Sequence, residues 1–240
     1  MSAPSPQHYL LDIEGTVAPL AYVKDVMFPY VRKNLDSFLE AHWDEPEVTE
    51  AIQRVAREAG GTNFLNFTGG APMNVALDVV KKEVQRLMDK DAKTTGLKEL
   101  QGLMWRVGFA NKELVATLYS DVAPALKRWK DAGRKAWIYS SGSIDTQKLF
   151  FRYTESGDHS AFLSGYFDTS TGPKKETPSY SKIVAALKAS PAEICFISDI
   201  VDELNAARAA GLQTALAVRP GNAPQPDGHG HRIIESFNEL

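Results

Sequence analysis

Cysteine is almost absent from this 240-residue chain: Cys195 is the single one. No disulfide can therefore form within the chain, and a reducing compartment, the cytoplasm, is expected. Cys195 sits in the apolar run Ile194-Cys195-Phe196-Ile197, where a thiol serves as a small packed hydrophobe. Surplus charge is also missing, since 27 basic and 30 acidic residues leave a net charge of −3. That balance gives no electrostatic case for a nucleic-acid partner. The basic stretch Lys127-Arg128-Trp129-Lys130 reads instead as the wet face of a helix. No apolar run approaches membrane-spanning length, so no membrane partner is expected. The opening MSAPSPQHYLL lacks a basic segment followed by a long apolar one, so no secretory leader is expected either. Internal repeats and low-complexity tracts are not found.

What is present falls into two rhythms. Residues 9–13 read as a short buried strand. From Ala21 to about Asn111 the pattern is helical, with stripes such as Val48, Ile52, Val55 and Val80, Val84, Leu87 at helical spacing. Pro29 must break or restart the first of these helices, and Asn63–Met73, with Gly69-Gly70 and Pro72, reads as a loop. After Tyr119 strands and helices alternate: a helix from Asp121 to Ala132, strands at Lys135–Tyr139, Tyr166–Asp168, Ile194–Ile197 and Thr214–Val218, and a loop over Pro220–Gly230. Such alternation implies a parallel sheet covered by helices on both faces. The fold expected is an α/β, Rossmann-like parallel-sheet core, residues 1–19 and 116–240, with an inserted helical domain at residues 20–115.

Parallel strands deliver their C-terminal ends to one edge, where ligands bind. Four such ends carry polar groups: Asp12 and Glu14, then Ser140 and Ser141 before Gly142, then Lys174, then Asp199 with Asp202 and Glu203 beyond it. Taken singly, each has a plain structural explanation as a turn, a loop, a solvated lysine or a helix cap. Together and in this order they suit phosphoryl chemistry. Asp12, Glu14 and Asp199 are hard oxygen donors appropriate to Mg²⁺. Lys174 and the hydroxyls and amides around Ser140 and Ser141 would hold phosphate oxygens. Asp12 would attack phosphorus, and Glu14 would protonate the leaving oxygen and then activate water. Glu203 fits a supporting role, orienting Lys174 or a metal-bound water.

This order resembles the haloacid dehalogenase superfamily over the whole chain. Asp12-Ile13-Glu14-Gly15-Thr16 is similar to its Asp-x-Asp-x-Thr motif, Ser140 to its second motif, Lys174 to its third, and Asp199 with Glu203 to its acidic fourth. The helical insertion stands where a cap of that family would be. DIEGT, VKDVMFPY, YSSGSIDTQKL, FDTSTGPKKETPSY and ALAVRPGN resemble the enolase-phosphatases, or acireductone synthases, of methionine salvage, where Glu in the position of Glu14 is usual. The resemblance implies a monomeric, Mg²⁺-dependent enzyme. Its substrate would be the phosphorylated diketone 2,3-diketo-5-methylthiopentyl-1-phosphate, enolised first and dephosphorylated second to the acireductone.

Some alternatives stay open. A general phosphomonoesterase of the same superfamily is the nearest, and a phosphonate hydrolase using Lys24 is another. A non-catalytic binding domain would be expected to have lost one of the four groups. Met27, Phe28 and Tyr30 would meet a methylthio group or simply pack as core. His229 and His231 lack further ligands for a metal, and Arg219 would anchor the loop at Pro220-Gly221-Asn222.

Overall fold

The computed structural model describes residues 4–240 and divides them into two compact units. One runs through Lys24 and resumes over Val115–Leu240; the other is Asp25–Leu114.

In the first unit β1 (His8–Leu11) buries Tyr9, Leu10 and Leu11 almost completely. It leads through Asp12–Pro19 into a single helical turn, α1 (Leu20–Tyr22), and a π-helical stretch at Val23–Met27. Beyond the second unit, α7 (Val122–Asp131), β2 (Lys135–Tyr139), α8 (Ile144–Arg152) and β3 (Leu163–Phe167) follow. The chain continues through α9 (Thr177–Leu187), β4 (Ile194–Ser198), α10 (Val201–Ala209), β5 (Gln213–Ala217) and β6 (Arg232–Ile234). The six strands form one parallel sheet in the order β3-β2-β1-β4-β5-β6. The chain thus builds outward on one side of β1, crosses back, and builds outward on the other, which makes the β1–β4 border a topological switch point.

Alternate residues of β1 supply the two faces of the core, as strand geometry requires. Leu10 joins Tyr139, Tyr180, Ile183, Phe196 and Leu204 on one face. Tyr9 points the other way and stacks on Trp129, with ring centroids 3.9 Å apart, and Phe237 packs behind Trp129. Cys195 is fully packed, and burial pushes its thiol up to about 12, so it stays neutral.

The second unit is helical: α2 (Phe28–His42), α3 (Pro46–Glu58), α4 (Phe64–Thr68), α5 (Met73–Asp89) and α6 (Thr95–Ala110). Pro29 stands in the first turn of α2, where its missing N–H costs nothing, so it opens a helix rather than breaking one. Glu58, at the end of α3, accepts from the amides of Thr95 (2.9 Å) and Gly96 (3.0 Å) and so caps α6. Met27 is buried, its carbonyl accepting from Trp105 Nε1 at 3.0 Å, and Tyr30 donates to Glu113 at 2.6 Å. For Met27 the structure thus shows a packing role.

Three local expectations change. Phe64–Thr68, read as loop, is a helical turn capped by Asn63, whose side chain accepts from Asn66 N. β3 begins at Leu163, three residues before the expected Tyr166, and its pairing with β2 shifts register between Ala136 and Trp137. The C-terminal segment supplies a sixth strand, Arg232–Ile234, too short for an alternation pattern to announce it.

Candidate functional site

β1 and β4 are neighbours in register, Leu11 opposite Ile197, and the Asp12 amide donates to Ile197 O at 3.0 Å. The two residues that follow the paired strands, Asp12 and Asp199, therefore emerge together at the switch point. Both are buried, with 5% of each residue exposed.

Lys174 meets them from the loop after β3. Its ammonium bonds Asp12 Oδ1 in a short contact and lies 2.7 Å from Glu203 Oε2. Burial alone would lower the Lys174 pKa, but Asp12 and Glu203 outweigh it and hold the group above its ordinary value. Burial pushes the Asp199 carboxyl up to about 7, and the negative charges of Asp12 and Glu203 add to the effect. Burial likewise raises Glu203, with Lys174 pulling against it. Glu203 is fixed by Ser198 Oγ, which donates to it at 2.9 Å, while Ile200 N donates to Ser198 Oγ at 3.1 Å. Thr16 Oγ1 reaches Asp12 Oδ2 at 3.4 Å.

The lysine's loop is held by three hydroxyls that sequence reasoning did not single out. Tyr139 donates to Gly172 O at 2.8 Å, Ser179 to Pro173 O at 2.7 Å, and Tyr180 to Lys174 O at 2.6 Å. Two rings, Tyr139 and Phe196, stand beneath the ammonium, each centroid 5.9 Å from it. Ser140 is buried at the end of β2, and its Oγ accepts from the Gly142 amide at 3.3 Å; Ser141 is exposed on the turn. Gln147, fully buried on α8, donates from Nε2 to both Gly142 O (2.8 Å) and Phe167 O (2.9 Å). One amide thus ties the Ser140–Gly142 turn to the end of β3. Its only sequence signal is its place one turn into the helix after the serines. Asp202 is exposed and pairs with Lys175 at 3.0 Å, as a solvated acid would.

Glu14 is half-buried beside this cluster in sequence, and its backbone bridges to Ala18. Among the described residues no three His, Cys, Asp or Glu side chains are grouped as a ready-made metal cage. Asp12 and Asp199 are the carboxylates that the fold brings together. Next to Glu14 the backbone turns through Gly15 at φ +72°, where a Cβ would collide with Asp199 Oδ2 and come within 2.9 Å of Asn222 Oδ1. The Gly15 turn is thus a cradle against the Asp199 carboxylate. Asp12 and Glu203 pair with the Lys174 ammonium, and the buried Asp199 beside Asp12 adds a further carboxylate, a surplus of negative oxygen that a hard divalent cation would balance. The donor set fits Mg²⁺ on that ground.

Arg219 holds the far side of the same turn. Its guanidinium donates to Thr16 O (3.2 Å), Glu235 O (2.8 Å) and Asp121 Oδ2 (2.9 Å), between the rings of Tyr119 and Phe237. The Arg219 side chain, expected to anchor the loop at Pro220-Gly221-Asn222, instead grips the Thr16 carbonyl and the C-terminal segment, while the loop itself closes on the Arg219 carbonyl through the Asn222 amide. His229 and His231 stack with centroids 5.4 Å apart, and His231 bonds Thr214 and Asn205, a structural use.

A parallel-sheet core with an acid after its first strand, a serine after its second, a lysine and a further acid pair defines a class of phosphoryl-transfer and dehalogenase folds. Residues 7–211 match the haloacid dehalogenase-like hydrolase family, and the chain belongs to that family. Within it, the Enolase-phosphatase E1 of Stenotrophomonas maltophilia (strain K279a) is 42% identical over 98% of each chain. A crystal structure of the UTR4 protein of Saccharomyces cerevisiae is 33% identical over 98% of this chain and all of that one, with a TM-score of 0.80. The probable bifunctional methylthioribulose-1-phosphate dehydratase/enolase-phosphatase E1 of Zea mays is 42% identical. The chain spans about half the length of that plant relative, 48%.

Proposed function

We propose that the chain is a Mg²⁺-dependent enolase-phosphatase acting on the phosphorylated diketone 2,3-diketo-5-methylthiopentyl-1-phosphate and releasing the acireductone and phosphate, a step of methionine salvage. The observation that carries the reading is the buried Asp12–Lys174–Glu203 network beside Asp199, in a chain 42% identical over nearly its full length to a protein named an enolase-phosphatase.

In this reading the ammonium of Lys174 and the groups around Ser140 and Ser141 hold the phosphate oxygens and spread their charge. An oxygen of Asp12 attacks phosphorus, the bond from phosphorus to the substrate oxygen breaks, and that oxygen takes a proton from Glu14. Glu14 then removes a proton from water, which attacks the aspartyl-phosphate, releasing inorganic phosphate and restoring Asp12. Asp12, Glu14 and Asp199 would hold the cation, which supplies Lewis-acid stabilisation of charge on the enediolate and phosphoryl oxygens. Glu203 keeps Lys174 aimed and charged. The inserted helices, residues 20–115, serve as a cap that excludes water from the dicarbonyl. The enzyme works as a monomer in the cytoplasm.

The test is incubation with the diketone phosphate and Mg²⁺, following enol absorbance and phosphate release together. Enol should appear first and phosphate second. Asp12→Asn should abolish phosphate release without unfolding the protein. Phosphate release with no preceding enol would reduce the assignment to a phosphomonoesterase, and full turnover by Asp12→Asn would remove the nucleophile.

A further inference from the structure

Asn222 lies in the turn Arg219-Pro220-Gly221-Asn222, closed by a bond from its own amide to Arg219 O at 3.1 Å. Its side-chain Nδ2 donates to two carbonyls, Gly15 O at 2.9 Å and Ala217 O at 3.1 Å. Two acceptors on one side fix the orientation of the amide, because only the NH₂ end can satisfy both. Oδ1 must then face the opposite way. It is buried and has no hydrogen-bond partner. A buried acceptor left unpaired is costly, and a hydrogen-bond donor brought to the site would relieve that cost.

The surroundings indicate what that is. Asn222 Oδ1 and Asp199 Oδ2 both crowd against Gly15, so that a Cβ there would collide with either oxygen. The Gly15 carbonyl that Asn222 holds comes directly after Glu14. Asn222 is thus wired to the acidic turn by its donors and presents its bare oxygen beside the Asp199 carboxylate.

We propose that Asn222 is a positioning residue of the cation site: its amide N–H groups fix the Glu14–Thr16 turn, and its Oδ1 accepts a hydrogen bond from a water of the divalent cation held there. The inference rests on the Mg²⁺-dependent reading above. A neutral oxygen suits the role, since it accepts from a polarised water without adding a fourth negative charge to Asp12, Asp199 and Glu203.

The test separates the two halves of the amide by titrating Mg²⁺ calorimetrically into the full chain, with no substrate. Asn222→Ala removes donor and acceptor, and the Mg²⁺ Kd should rise by about 10–100-fold, the usual effect of losing an outer partner of a metal site. Asn222→Asp keeps the acceptor but loses both N–H donors. It should melt at a lower temperature than wild type yet bind Mg²⁺ no more weakly. Should Asn222→Ala not fold, Asn222→Ser replaces it, and the same rise in Kd is expected. An unchanged Kd in the Ala or Ser variant overturns the proposal. So does a loss in Asn222→Asp equal to that in Asn222→Ala, since affinity would then follow the turn alone. Failure of the wild-type chain to bind Mg²⁺ would overturn the metal reading itself, and with it this inference.

Discussion

Replacing Arg219 with methionine keeps an unbranched chain between Tyr119 and Phe237 but removes the charge. The loss can be worked through from the contacts. Arg219 and Asp121 are 5% and 9% exposed at the side chain, so their pairing is screened little by water. Without the guanidinium, Asp121 keeps only Ser236 Oγ at 3.1 Å and Phe237 N at 2.6 Å as donors, and the carbonyls of Thr16 and Glu235 lose theirs. Breaking a buried pair from one side strands the remaining charge and costs about 3–5 kcal/mol. In a chain of this size about 1 kcal/mol moves the melting point by roughly 2–4 °C, so Arg219→Met should melt about 6–20 °C lower. The double variant Arg219→Met/Asp121→Leu should recover part of that loss, because no charge is then stranded. Thermal unfolding followed by circular dichroism, with Mg²⁺ absent throughout, gives the comparison. A drop under about 2 °C, or a double variant less stable than Arg219→Met, would show that the pair does not hold the turn in the way described.

Three further outcomes follow from the same geometry. His159 is buried, which lowers its pKa from the ordinary 6.5, so the unfolded chain takes up a proton before the folded one does. Its contribution to stability is present above that ordinary value and lost as pH falls below it. Asp199, raised to about 7, acts in the opposite sense, losing stability as pH rises, so the measurement is the difference in melting point between wild type and His159→Gln. That difference should shift against wild type between pH 7 and pH 5.5, and no shift would remove His159 from the account. Gly15→Ala should lose Mg²⁺ binding and turnover together, since its methyl collides with Asp199 Oδ2 at a positive φ; wild-type activity would mean that the turn has room. Gln147→Leu unpairs the Gly142 and Phe167 carbonyls and should raise KM for the phosphate substrate, with about 1–3 kcal/mol of stability lost; steady-state kinetics and urea unfolding check both.

Much of the chemistry is written in short local strings. Tyr9–Leu11 and Ile194–Ile197 are apolar runs of strand length ending in acids, so Asp12 and Asp199 could be placed at strand ends before any coordinate was known. Pro178 in the first turn of α9 and Gly211 past the end of α10 marked helix limits for reasons that need only a few neighbours. Less legible were the groups whose role is to hold something distant. Tyr139, Tyr180, Gln147 and Asn222 look in sequence like core or loop residues. Their partners lie at Gly172, Lys174, Phe167 and Gly15, and no local periodicity records such a pairing.

The sequence alone determined the alternation of strands and helices, the helical insertion and the residue types at the strand ends. Those follow from hydrophobic spacing and backbone preference, which act over a few residues. Only the tertiary structure decided that β1 lies between β2 and β4, that Lys174 bridges Asp12 and Glu203, and that the C-terminal turn grips Gly15 and Thr16. Such choices depend on which distant surfaces can be buried together and which carbonyls they leave to be satisfied, a condition imposed on the whole chain at once.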